Sequence, residues 1–130
     1  MPKNRVLIAD DIATIELFEA YLAEGDYEIA TATDDAEILA AVESFVPNLI
    51  LLDIVMPKLC GFEVCEKLKS NPKTQDIMII MVAAHAELSI IERAVTAGCD
   101  NFLSKPINKE ELLKNIETML KLQSVLSFFL

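Results

Sequence analysis

Nothing in the chain is long enough to cross a bilayer. Its longest unbroken apolar run covers residues 77–84, far short of the about 20 residues a spanning helix needs. Bases are scarce too. Eleven Lys and Arg stand against twenty-one Asp and Glu, a formal net charge of −10. With no basic stripe to offset that charge, nucleic acid is excluded as a partner of this domain, and no membrane contact is expected. The three cysteines, Cys60, Cys65 and Cys99, are odd in number and lack paired spacing. They read as free thiols in a reducing cytoplasm. The single histidine, His85, has no acid–base partner in view and reads as a solvated loop residue. Low-complexity segments are absent. The opening Met-Pro-Lys-Asn-Arg leads straight into a strand-like run, so no signal peptide is expected.

What is present is a chain of 130 residues, 53% of them apolar. That is one domain, too apolar for disorder and large enough to hold a core without staples. Apolar runs alternate with helical patterns five times. The runs are 6–9, 27–32, 49–52, 77–82 and 101–104. The intervening helices carry Ile15, Phe18 and Leu22; Ile38, Leu39, Val42 and Phe45; Phe62, Cys65 and Leu68; and Ile91 and Val95. A last helix carries Leu112, Leu113, Ile116, Met119 and Leu120. Gly25, Pro47, Asn71-Pro72 and Gly98 punctuate the series, and Asn108 with Glu111 sets a near capping box for the last helix. A (βα)5 alternation with right-handed crossovers makes the sheet parallel, and its five-stranded doubly wound solution has the order 2-1-3-4-5. The expected domain covers residues 1–123. Residues 124–130 are an apolar extension of the last helix or the start of a linker. Greasy as it is, that tail points to an excised domain or a dimer contact.

In a doubly wound sheet the ligand site lies beyond the carboxyl ends of the strands, between strands 1 and 3. Strand 1 ends in Asp10-Asp11 and strand 3 in Asp53, so three carboxylates converge there. An acid at a strand end can instead cap the next helix, and for Asp10 or Asp11 alone both readings stay open. Together, their mutual repulsion calls for a cation, and hard oxygen ligands suit Mg²⁺. A carboxylate beside Mg²⁺ can attack a phosphoryl group and form an acyl phosphate. Lys105, at the end of the fifth run, offers a second positive charge, and a cis bond to Pro106 would fix where its amine points.

The segments Val-Leu-Ile-Ala-Asp10-Asp11, Leu-Ile-Leu-Leu-Asp53-Ile-Val-Met-Pro57, Gly61-Phe-Glu-Val and Ala97-Gly98-Cys-Asp-Asn-Phe102-Leu-Ser-Lys105-Pro106 carry a resemblance. In this order and spacing the chain resembles the receiver domain of two-component response regulators over residues 3–122. The stretch from Gly61 to Lys69 is most similar to receivers that precede cyclic-dinucleotide synthase domains. The resemblance implies a chemotaxis-regulator-like, flavodoxin-like fold and specific roles. Asp53 is the phospho-acceptor. Asp11 holds Mg²⁺ directly, Asp10 through water, and Val55 through its backbone carbonyl. Lys105 pairs with the phosphoryl group, backbone at Ala83 and Ala84 helps bind it, and Phe102 is the aromatic switch. A histidine kinase or phosphotransfer protein is the implied donor. An output domain in a longer chain, or a homodimer through helix 4, strand 5 and helix 5, is the implied partner.

One position departs from the family pattern. The Thr or Ser that ends strand 4 in the family is Ala83 here, with no hydroxyl for a phosphoryl oxygen, and neither Ser89 nor Ser104 is placed to replace it. Three functions therefore compete. The first is a cytoplasmic phosphoryl-accepting switch that is not a conventional enzyme. The second is a phosphorylation-independent, pseudo-receiver binding module. The third is a metal-dependent phosphohydrolase, ranked last because Val55 stands where that class has its second acid.

Overall fold

In the computed structural model the described residues are 3–56, 59–84 and 87–129, with backbone alone for 55–56 and 59–60. The five apolar runs become strands β1 (Asn4–Ala9), β2 (Tyr27–Ala32), β3 (Leu49–Asp53), β6 (Met78–Ala83) and β7 (Asn101–Ser104). They form one parallel sheet in the order β2-β1-β3-β6-β7, which is the expected 2-1-3-4-5. A two-stranded hairpin, β4 (Val55–Met56) and β5 (Leu59–Cys60), occupies what the sequence presents as a plain loop after Asp53. Strands of two residues have no periodicity to read.

Successive strand residues point to opposite sides of the sheet, so each apolar run feeds two cores. Leu7, Ile50, Leu52, Ile79 and Met81 pack with α2 (Asp35–Ser44), α3 (Gly61–Lys69) and α4 (Leu88–Ala97). Val6, Ile8, Leu49, Leu51, Ile80 and Val82 pack with α1 (Ile12–Leu22) and α5 (Lys109–Phe129). Strands covered on both faces read as unbroken apolar runs, and β3 and β6 are buried from end to end.

The helix ends follow the sequence signals. Asp34 caps α2 by accepting from the Glu37 N–H, Asn108 caps α5 by accepting from the Glu111 N–H at 2.8 Å, and Gly98 closes α4 at φ 95°. Helix α4 differs from its expected packing. Val95 is 67% exposed, and the buried residues are Ala94 and Ala97. The two alanines face the core beside α3, where the Ala97 carbonyl accepts from Cys65 Sγ, and small residues give a weaker hydrophobic signal than the valine beside them.

Val46 adopts φ 50°, a left-handed conformation that β-branched residues resist, with its side chain more than half exposed. Its carbonyl accepts from Arg5 Nε at 2.8 Å, which pins the corner. Val46→Asn is expected to raise stability by about 1 kcal/mol, read as a higher urea midpoint at constant m-value. A lower midpoint contradicts that.

Cys65 is buried, and desolvation, followed by its neighbour Cys99, pushes its thiol up to about 12. The thiolate is the reactive form. Cys65 should therefore resist iodoacetamide at about pH 8 in the native protein and react after unfolding, as read by peptide mass. Native labelling at Cys65 would show that the helix opens.

Candidate functional site

The carboxyl ends of β1, β3, β6 and β7 open into one cleft of about 290 Å³, lined by Asp11, Asp53, Ile54, Ala83, Ala84, Ile90 and Lys105. Asp10 lies behind it, only 1% exposed. Its Oδ1 accepts from the Asp11 N–H at 2.7 Å and from Lys105 Nζ at 3.2 Å. The same ammonium stands 3.8 Å from Asp53 Oδ2. A buried carboxylate is costly unless paired, and Lys105 supplies the pairing for two of them at once.

Backbone bonds hold each group in place. Asp53 is in register with Val82, and the next residue's N–H, of Ile54, donates to the Val82 carbonyl at 3.1 Å. The Gly61 N–H donates to the Ile54 carbonyl at 2.9 Å, folding the start of α3 back onto the segment after Asp53. The Lys105 N–H donates to the Ala83 carbonyl at 2.7 Å, and the Lys105-Pro106 bond is cis.

Asp11 meets the capping expectation and stands at the cleft as well. It caps α1, accepting from the Thr14 N–H at 2.7 Å, and it also lines the cleft. The Thr14 backbone N–H, then the Thr14 side chain, hold its carboxyl below the usual range and so ionised. Val55 lies two residues past Asp53, paired with Cys60. Phe102, half-buried, pairs with Met81 and packs on the same cluster as Ala83 and Ile90, outside the cleft lining. His85, and the side chains of Val55 and Cys60, lie outside the described residues. Ile54 and Ile90, which wall the cleft, carry no sequence signal that sets them apart from core residues.

Asp10, Asp11 and Asp53 contribute three negative charges and Lys105 one positive, leaving a formal −2 at the cleft. Among the described residues no three His, Cys, Asp or Glu side chains group tightly enough to cage an ion. This donor set fits Mg²⁺, which takes one or two carboxylates and keeps several waters. The cleft has room for those waters and a phosphoryl group, since a water occupies about 30 Å³.

A family model described as the response regulator receiver domain matches residues 6–117. The response regulator PleD of Caulobacter vibrioides is 35% identical over 94% of this chain, which covers 27% of PleD. RpaA of Synechocystis, described as a DNA-binding dual master transcriptional regulator, is 32% identical over 90% of this chain and 49% of its own length. This chain thus spans half or less of these relatives. The crystal structure of a CheY-like receiver domain protein from Methanospirillum hungatei superposes with a TM-score of 0.87 at 32% identity, covering 95% of this chain and 98% of that one. With the fold and the acidic cleft already in place, these matches settle the family: the chain belongs to the response regulator receiver domains.

Proposed function

We propose that this receiver domain takes a phosphoryl group onto Asp53 from a histidine kinase or phosphotransfer protein, in a Mg²⁺-dependent reaction, and thereby alters its contacts with an output domain or partner. The observation that carries the reading is Lys105 Nζ set between Asp10 and Asp53, at 3.2 and 3.8 Å, on the wall of the cleft. An Asp53 oxygen attacks phosphorus in line; the new O–P bond forms as the donor's P–N bond breaks, and the donor histidine leaves with the electron pair and takes up a proton. Charge spreads over the equatorial oxygens in the transition state. The Lys105 ammonium lies within reach of those oxygens, and its attachment to Asp10 keeps it there without reorganisation. Asp10, Asp11, Asp53 and the Val55 carbonyl are the groups that would hold Mg²⁺, which neutralises phosphoryl charge when bound. The chain catalyses its own modification, so it is not an enzyme acting on an outside substrate, and a cytoplasmic location suits a kinase donor.

A second reading, a binding module that works without phosphate, is favoured by Ala83, which lines the cleft with a methyl group only.

Intact mass after incubation with acetyl phosphate and Mg²⁺ separates the two. The phosphorylation reading predicts a gain of one phosphoryl group, lost with a chelator, in Asp11→Ala and in Asp53→Asn. No gain in the parent protein supports the binding module.

A further inference from the structure

The lining of the cleft is of two kinds. Asp11, Asp53 and Lys105 are charged, and Ile54, Ala83, Ala84 and Ile90 are apolar. The sheet fixes Ile54 and Ala83. Ile54 follows the last residue of β3 and donates its N–H to the Val82 carbonyl, and Ala83 ends β6. Ile90 comes from another element, the first turn of α4, where its N–H donates to the Glu87 carbonyl at 3.0 Å.

Two contacts seat that turn. Three residues on, the Arg93 guanidinium lies over the Phe62 ring of α3, 4.2 Å from its centroid. Four residues on, Ala94 is buried in the core. Ile90 is half-buried: it packs on the cluster that holds Met81 and Ala83, and it keeps a surface on the cleft. A branched hydrocarbon contributes nothing to binding a phosphoryl group or a cation. Its effect in such a place is on water.

A phosphoryl group on Asp53 is lost when a water oxygen attacks phosphorus in line. The new O–P bond forms as the bond from phosphorus to the Asp53 oxygen breaks. The carboxylate leaves with the electron pair, the water gives up a proton to solvent, and inorganic phosphate departs. The water reacts fastest when hydrogen bonds hold it on the line of attack. Among the described residues, the apolar part of the lining presents it with no side-chain donor or acceptor.

We propose that Ile90 lengthens the life of the aspartyl phosphate by denying the attacking water a hydrogen-bond partner. The inference rests on the reading of Asp53 as phospho-acceptor and concerns the step after loading.

Ile90→Val and Ile90→Thr test it on the full chain, because the two new side chains have nearly the same shape and differ by a hydroxyl. Each protein is loaded with acetyl phosphate and Mg²⁺, desalted into Mg²⁺ buffer, and its phosphorylated mass followed with time. One neutral hydrogen bond in the transition state corresponds to about 2- to 13-fold in rate. Ile90→Thr should therefore lose its phosphoryl group about 2- to 13-fold faster than Ile90→Val, with Ile90→Val near the parent and far-UV circular dichroism alike in all three. Where Ile90→Thr loads too weakly to follow, Ile90→Ser against Ile90→Ala makes the same comparison. Equal or slower decay in the hydroxyl variant overturns the proposal. It does so even if both variants outpace the parent, since bulk rather than polarity is then the cause. A parent that takes up no phosphoryl group is a separate failure, which removes the Asp53 reading together with the inference built on it.

Discussion

Gly61→Ala is expected to lower stability by about 1–3 kcal/mol and to slow phosphorylation of Asp53 by roughly 100-fold. A Cβ at Gly61 would stand 2.5 Å from the Asp53 carbonyl oxygen and 2.8 Å from the Ile54 Cα, both backbone atoms with no rotamer to change. The Gly61 N–H already donates to the Ile54 carbonyl at 2.9 Å, so the two segments cannot separate without losing that bond. The strain falls on the peptide that carries the nucleophile, and in-line transfer tolerates little displacement. Thermal unfolding and the initial rate of label incorporation from acetyl phosphate measure the two effects. A destabilised variant that phosphorylates at the parent rate would show that Gly61 supports the fold but does not position Asp53.

The second large effect is expected at Ala83. A hydrogen bond to a charged group contributes roughly 1.5–3 kcal/mol, or about 10- to 150-fold in a two-state equilibrium. Ala83 lines the cleft and is nearly buried, and its methyl cannot supply that bond. Lys105 remains beside Asp53, so accepting phosphate and responding to it should come apart. In the parent protein, beryllofluoride, a phosphoryl mimic, should shift amide resonances around the cleft but little around Phe102 and along α4. Ala83→Thr should enlarge the distant shifts. A full response around Phe102 in the parent, with nothing added by Ala83→Thr, would show the hydroxyl to be dispensable.

The parallel sheet was legible because its central strands are covered on both faces, so Val6-Leu7-Ile8-Ala9 and Leu49-Ile50-Leu51-Leu52 read as unbroken apolar runs. The topology then placed Asp10, Asp11 and Asp53 at one switch point before any distance was known. The pairing of Lys105 with the buried Asp10 was not legible, nor was the contact of Gly61 with the Asp53 peptide. Lys105 meets Asp10 across 95 residues, and Gly61 meets the Asp53 peptide only because the β4–β5 hairpin folds the chain back; no local pattern encodes either. The side that the end of α5 turns outward was not legible for a related reason. Its 3.6-residue spacing persists past Leu120, but the apolar positions rotate to another side while Gln123 takes the inward place. Periodicity reports that a stripe exists, and only the contacts say which way it faces.

Which residue receives the phosphoryl group decides the function of the cleft. After acetyl phosphate and Mg²⁺, trapping with borohydride converts an aspartyl phosphate to homoserine, and peptide sequencing by mass locates it. The prediction is homoserine at position 53 alone, absent from Asp53→Asn. Homoserine at position 10 or 11, or a stable label on His85 with Asp53 untouched, would contradict it.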